Sequence, residues 1–148
     1  MSRDECYDKL TEIALNQELA ERALVALIAI ARDHPRMLRD KKLTSQNLGL
    51  VQAEFHDLFF VRMFASFETS LRSFWRSSIK PTEPRMKVLL ESVASRRMIP
   101  QDVLDKVNLV RKFRNRLMHE DQAEVDTQQM SDAGKSLRRF LAWLPLDW

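Results

Sequence analysis

The chain has few of the residues that make tight turns or covalent cross-links. Its 148 residues include two glycines, five prolines and one cysteine. Because β-hairpin turns and nucleotide-binding loops depend on glycine, this scarcity argues against both. Cys6 has no second cysteine to pair with, which excludes an internal disulfide and a cysteine-based metal site.

Long hydrophobic runs and a strong net charge are also missing. The most apolar stretch, residues 23–31, is about half of the length that a bilayer-spanning helix needs. Asp4 and Glu5 stand where a secretory signal peptide has basic residues. We therefore expect a cytoplasmic protein with no membrane contact. The formal net charge of +3 permits RNA binding without requiring it.

The residues that remain favour α-helices. Ala, Leu, Arg, Glu, Lys, Gln and Met dominate the composition, and all are good helix formers. Apolar spacing, capping residues and prolines divide the chain into about five segments. We predict one all-α domain over residues 1–148, a helical bundle with helices at about 4–33, 45–78, 84–95, 101–119 and 128–144.

Two of these helices have unusual apolar patterns. Residues 23–31 are apolar nearly all round, which predicts burial on more than one side. The second helix is rich in aromatic residues, and we expect it to be the central helix of the core. Its predicted core positions are Leu50, Phe55, Leu58, Phe59, Met63, Phe67, Leu71 and Phe74.

The fourth helix carries the residues best suited to proton transfer and phosphate binding. Arg114 is followed by Asn115, and His119 comes five residues after Arg114. A neutral imidazole can move a proton near pH 7, and a guanidinium forks onto phosphate. These groups are sufficient for cleaving an RNA backbone without a metal. In a chain with this many arginines, however, about one such pairing is expected by chance.

Helical geometry assigns these side chains to different faces of the helix. Asn115 and His119 are four residues apart and share a face, with Arg111 one turn earlier. Arg114 falls inside the apolar arc, where an unpartnered guanidinium is costly to bury. It must meet an acid, reach out to solvent, or point into a cleft at an interface. Ideal geometry also puts Arg114 and His119 about 140° apart around the helix axis.

The pattern Arg114-x4-His119, with a polar residue after the arginine, resembles the R-x4-6-H motif of HEPN domains. The segment 62–72, in which Phe67-Glu68 precedes Leu71, is similar to the early core helix of some HEPN groups. The resemblance implies an all-helical dimer whose paired motifs line a shared cleft. One toxin branch, paired with small nucleotidyltransferases, usually has tyrosine two residues after the histidine. Asp121 stands there, which argues against that branch.

The resemblance also implies roles for individual residues. His119 would transfer protons, Arg114 would stabilise the phosphate, and Asn115 would position them. Arg111, Lys112 and Arg116 would contact the RNA backbone, although a charge run on a helix is also the usual pattern of a solvated face.

Two acids have competing interpretations. Glu68 either supports the site or pairs with Arg114 in a structural role, and the structural role is favoured because buried acids are usually paired. Glu120 either raises the basicity of His119 or is simply solvated, and we favour solvation. Neither a cofactor nor a metal is implied. His56 is interpreted as a partnered polar group at the edge of the core.

Three functions remain open at this point. The first is a homodimeric, metal-independent endoribonuclease, acting on RNA as a toxin or phage-defence effector, with an antitoxin or defence-system protein as a further partner. The second is a catalytically inactive HEPN-like module that binds a partner protein or nucleic acid. The third is an unrelated helical bundle with an accidental motif.

Overall fold

The computed structural model describes residues 2–119 and 127–148. Within these residues the chain forms five α-helices and no strand, apart from an isolated bridge between Ser2 and Asp147. The all-α prediction is therefore confirmed. The helices are α1 (Arg3–Asp33), α2 (Ser45–Ser78), α3 (Met86–Arg97), α4 (Gln101–His119) and α5 (Thr127–Leu141).

The two long helices begin and end where the sequence supplies the caps. The hydroxyl of Ser2 accepts the backbone N–H of Glu5, and the Glu5 carboxylate accepts the backbone N–H of Ser2 in return. Thr44 caps α2 by accepting the Asn47 backbone N–H at 3.1 Å. Since these caps satisfy orphan amides of the first turn, they fix where each helix starts. The prediction for both helices is correct to within one residue.

The shorter helices depart from the predicted bounds. α3 begins at Met86, two residues after the predicted proline start. The carbonyl of Pro84 accepts Arg72 Nη1 at 3.0 Å, which ties the segment before α3 to α2. α5 ends at Leu141 rather than at Leu144. A turn follows, in which the Leu144 amide bonds back to the Leu141 carbonyl at 2.9 Å.

The core surrounds the second half of α2, as predicted. The four aromatic side chains of Phe60, Phe64, Phe67 and Phe74 are almost fully buried there. α1 contributes only its first half to this core, while α3, α4 and α5 close the other sides. The predicted stripe of α5 and the following turn, Leu137, Phe140, Leu141 and Leu144, is buried.

The second half of α1 and the first half of α2 extend beyond this core. These segments, residues 18–33 and 45–58, are here named the hairpin arm. Residues 23–31 were predicted to be buried on more than one side, but residues 23, 25 and 26 are exposed, with Val25 at 51%. Leu50 and Leu58, predicted as core, are 64% and 62% exposed. Two packed helices can bury only one face of each other, so the remaining apolar faces meet solvent.

α4 and α5 run antiparallel to each other and both contact α2, which places α4 at the surface with one face inward. Asp102 near the start of α4 forms an ion pair of 3.1 Å with Arg139 near the end of α5. No helix in residues 2–119 and 127–148 combines the length and apolarity needed to cross a bilayer.

Candidate functional site on the fourth helix

α4 is one uninterrupted α-helix that reaches His119. Its inward face consists of Val103, Leu104, Val107 and Val110, all of which are buried. Because the helix is regular, the angular positions predicted from the sequence hold for its side chains. The candidate residues therefore divide among three directions: inward, toward α5, and outward to solvent.

Arg114 points inward and is half-buried. Its guanidinium carbon lies 5.8 Å from the centroid of the Phe64 ring. Its Nη1 donates to the side-chain oxygen of Asn115 at 3.3 Å. The Nε atom is buried and has no hydrogen-bond partner among the residues that the structure describes. Among the described residues, no carboxylate lies within ion-pair distance of Arg114.

This environment leaves a guanidinium incompletely compensated. A cation over an aromatic ring gains about 0.5–2 kcal/mol, and one long hydrogen bond to a neutral amide adds little. A guanidinium has five N–H donors, and within the described residues the buried Nε of Arg114 lacks an acceptor while Nη1 donates only to Asn115. An anion with several oxygens, such as a phosphate group, would supply those acceptors.

Glu68 does not neutralise Arg114. Its carboxylate instead accepts Nε and Nη2 of Arg72, at 2.9 and 2.7 Å, in an i,i+4 pair on α2. The structural role predicted for Glu68 is thus found with a different partner, and the predicted Glu68–Arg114 pair is wrong. Arg114 is left as a cation without an acid in the described part of the chain.

The outward direction carries the predicted strip of polar residues. Arg111, Asn115 and His119 follow one another at four-residue intervals on the regular helix. Arg111 Nε donates to Asn108 Oδ1 at 3.2 Å, and His119 is exposed at the last described residue of α4. Arg114 and His119 remain about 140° apart around the helix axis, so a single α4 does not aim both at one point.

The remaining cations differ from one another. Lys112 is exposed and lies close to His119 in the helical projection. Arg116 turns toward α5, and its guanidinium carbon lies 4.9 Å from the Phe113 ring centroid. Glu120 and Asp121 lie outside the described residues.

Two features of the site could not be found by looking at α4 alone. Phe64, whose ring lies under Arg114, belongs to the segment 62–72 of α2, and the residue spacing on α4 does not point to it. His56 contacts Glu21 at 2.5 Å across the hairpin arm, and Glu21 also accepts Gln52 Nε2 at 2.6 Å. His56 is therefore a partnered polar group, as predicted.

Among the described residues, no three His, Cys, Asp or Glu side chains are grouped to hold a metal ion.

Comparison of the chain with protein-family models, curated proteins and solved structures gave no match in any of the three. The resemblance to HEPN domains consequently stays a prediction from residues and spacing.

Proposed function

We propose that the chain is a HEPN-type endoribonuclease that works without a metal and acts on RNA as a homodimer. The observation that carries this proposal is the state of Arg114. A half-buried guanidinium with an unpartnered Nε, held by Asn115 and Phe64 and lacking an acid among the described residues, is prepared for an oxyanion. The phosphate of an RNA linkage is such a group.

The chemistry follows from what the side chains can do. The ribose 2′-hydroxyl gives its proton to a general base as its oxygen bonds to the neighbouring phosphorus. The bond from phosphorus to the 5′-oxygen breaks, and that oxygen takes a proton from a general acid. The products are a 2′,3′-cyclic phosphate and a 5′-hydroxyl. Imidazole is suited to both proton transfers, and Arg114 would stabilise the charge on the phosphorane.

A second copy of the chain makes this chemistry geometrically reasonable. One His119 cannot be base and acid in the same step, and it lies on a different side of α4 from Arg114. Two copies of α4 facing each other would supply two imidazoles and two guanidinium groups to one cleft. Met118, which is 54% exposed beside this motif, provides apolar surface for such a contact.

The test is cleavage of end-labelled single-stranded RNA in the presence of a chelator. We expect a cyclic phosphate product, no cleavage of the matching DNA, and no loss of activity with chelator, because the nucleophile is the 2′-hydroxyl. His119→Ala and Arg114→Ala should each reduce the rate at least about a hundredfold. Folded wild-type protein that leaves all RNA intact would overturn the enzymatic proposal.

Matched controls separate the chemistry from general effects. His34→Ala removes a second exposed histidine and Arg36→Ala removes an exposed arginine, both just after α1, where Pro35–Met37 forms a short 3-10 helix. Both variants should cleave at the wild-type rate. Expression of the wild-type chain, but not of His119→Ala, should arrest bacterial growth if the nuclease serves as a toxin or defence effector. An antitoxin or defence-system partner should restore growth.

The exposure of His119, on a different side of α4 from Arg114, favours one alternative. A catalytically inactive HEPN-like module that binds a protein or nucleic acid would need Arg114 but not His119. In that case the wild-type chain would bind RNA or a partner without cleavage. Arg114→Ala would then weaken binding, while His119→Ala would have no effect.

A further inference from the structure

The antiparallel helices α4 and α5 enclose a pocket that the proposed chemistry does not use. Its volume is about 560 Å³, within the range of about 300–1,000 Å³ that ligand pockets commonly have. It opens on the flank of α4 that faces α5, away from Asn115. Its lining residues include Phe60, Lys106, Leu109, Phe113, Arg116 and Lys135.

The apolar part of this pocket consists of aromatic and aliphatic side chains. Phe60 and Phe113 meet edge to face at 5.2 Å, and the Arg116 guanidinium lies over the Phe113 ring. Leu109 is 63% exposed at the pocket wall, so a large apolar side chain remains in contact with solvent. Aromatic rings and planar guanidinium groups are the surfaces on which unpaired RNA bases stack.

The charged part of the pocket favours an anion. Lys106 and Arg116 on α4 and Lys135 on α5 are exposed cations that line it, and among the described lining residues Asp132 is the one carboxylate. Lys135 lies 3.6 Å from that carboxylate, but both side chains are largely exposed, so the pair is weak and can open. The pocket therefore has more positive than negative charge.

We propose that this pocket binds one unpaired nucleotide of single-stranded RNA. The base would lie against Leu109, Phe113 and the Arg116 guanidinium, and the adjoining phosphate would contact Lys106 and Lys135. This inference rests on the proposed function for its choice of RNA as ligand. The pocket would then select unpaired over paired RNA.

Binding can be measured separately from cleavage. A fluorescently labelled, single-stranded 2′-O-methyl oligoribonucleotide lacks the nucleophile, so its anisotropy reports affinity alone. Leu109→Glu places a carboxylate in the pocket at an exposed position and should raise Kd about tenfold or more, the loss expected for one base stack. Val88→Glu, at a 49%-exposed valine of α3, is the matched control and should bind like wild type.

The contribution of the lysine charges to binding can be measured from the salt dependence of Kd. The double variant Lys106→Ala/Lys135→Ala should lower the slope of log Kd against log salt by about 0.7, because one phosphate of a single strand is no longer neutralised. Lys80→Ala/Lys87→Ala, which removes two exposed lysines elsewhere, should leave the slope unchanged. A duplex of the same sequence should bind at least about tenfold more weakly than the single strand.

The outcomes distinguish the two proposals. If wild-type protein does not bind the oligonucleotide, or Leu109→Glu binds as well as Val88→Glu, the nucleotide pocket is overturned. Displacement of the oligonucleotide by polyglutamate as readily as by RNA would also overturn it, since the pocket would then accept any polyanion. If binding behaves as expected while RNA stays intact, the pocket stands and the nuclease proposal fails.

Discussion

The guanidinium of Arg114 lies over the ring of Phe64, and no carboxylate accompanies it in the described part of the chain. Arg72 on α2 is the opposite case, because it donates hydrogen bonds to the Glu68 carboxylate and to the Pro84 carbonyl. Both arginines are half-buried. Arg72 is therefore compensated within the fold, whereas Arg114 is not compensated by any carboxylate of the described residues.

The first prediction uses this contrast. Arg114→Met should raise the free energy of unfolding by about 1 kcal/mol, because it replaces a poorly compensated buried cation by an apolar chain of similar length. Arg72→Met should lower it by about 1–3 kcal/mol, because Glu68 loses its partner. Urea denaturation measures both. A stability loss in Arg114→Met equal to that in Arg72→Met would mean that Arg114 is structural.

The second prediction concerns the surface through which two copies would associate in the proposed dimer. Met118→Glu should convert the dimer to a monomer in light scattering and reduce RNA cleavage at least about tenfold, because charge would be forced into the α4 contact. Val25→Glu introduces the same charge at a similarly exposed position of the hairpin arm. It should leave the dimer intact. The reverse result would place the dimer contact on the arm and separate it from the proposed cleft.

Much of the fold could be predicted because its signals are local. Ser2 and Thr44 cap the long helices, and His34-Pro35 ends α1, all of which can be recognised within a few residues. The aromatic density of α2 likewise identified the central helix. Burial in the hairpin arm could not be predicted, because an apolar face has the same sequence pattern whether its partner is the same chain or another molecule.

The candidate site was predictable only in part. The inward direction of Arg114 followed from helical spacing, and its half-burial agrees with it. The partner of Glu68 also had a local signal, the i,i+4 spacing to Arg72, which was overlooked. The pocket had none, since Lys106 and Lys135 come together only when α4 packs against α5.

The third prediction concerns the only cysteine. Burial between α1 and α2 raises the pKa of the Cys6 thiol above its ordinary value, and the hydrogen bond with Ser70 offsets this only in part. Since the thiolate is the reactive form, Cys6 should react with a disulfide reagent at least about a hundredfold more slowly in the native protein than in urea. Rapid labelling of the native protein would contradict the packing of α1 on α2.

The same raised pKa gives a pH dependence of stability. The folded state holds the thiol proton more tightly than the unfolded state, so the stabilising contribution is complete below the unfolded pKa of about 8.5 and is lost as pH rises through the folded value. Tyr7, whose pKa burial also raises, adds to this alkaline loss. Comparison with Cys6→Ala isolates the thiol: the variant should lose less stability above that pH than the wild type.

The fourth prediction tests the end of α3. Met98 has a left-handed backbone with φ of 52°, and its side chain is 84% exposed. The Ile99 amide bonds back to the Ala94 carbonyl at 2.9 Å, which completes the helix C-cap and requires that conformation. Met98→Gly should therefore raise the free energy of unfolding by about 0.5–1 kcal/mol, because glycine adopts this conformation without steric cost. Met98→Val should lower it, since a β-branched residue is disfavoured there. Thermal denaturation would register the gain as a rise in Tm of about 2–3 °C. A lower Tm in Met98→Gly than in the wild type would mean that the exposed methionine side chain makes stabilising contacts.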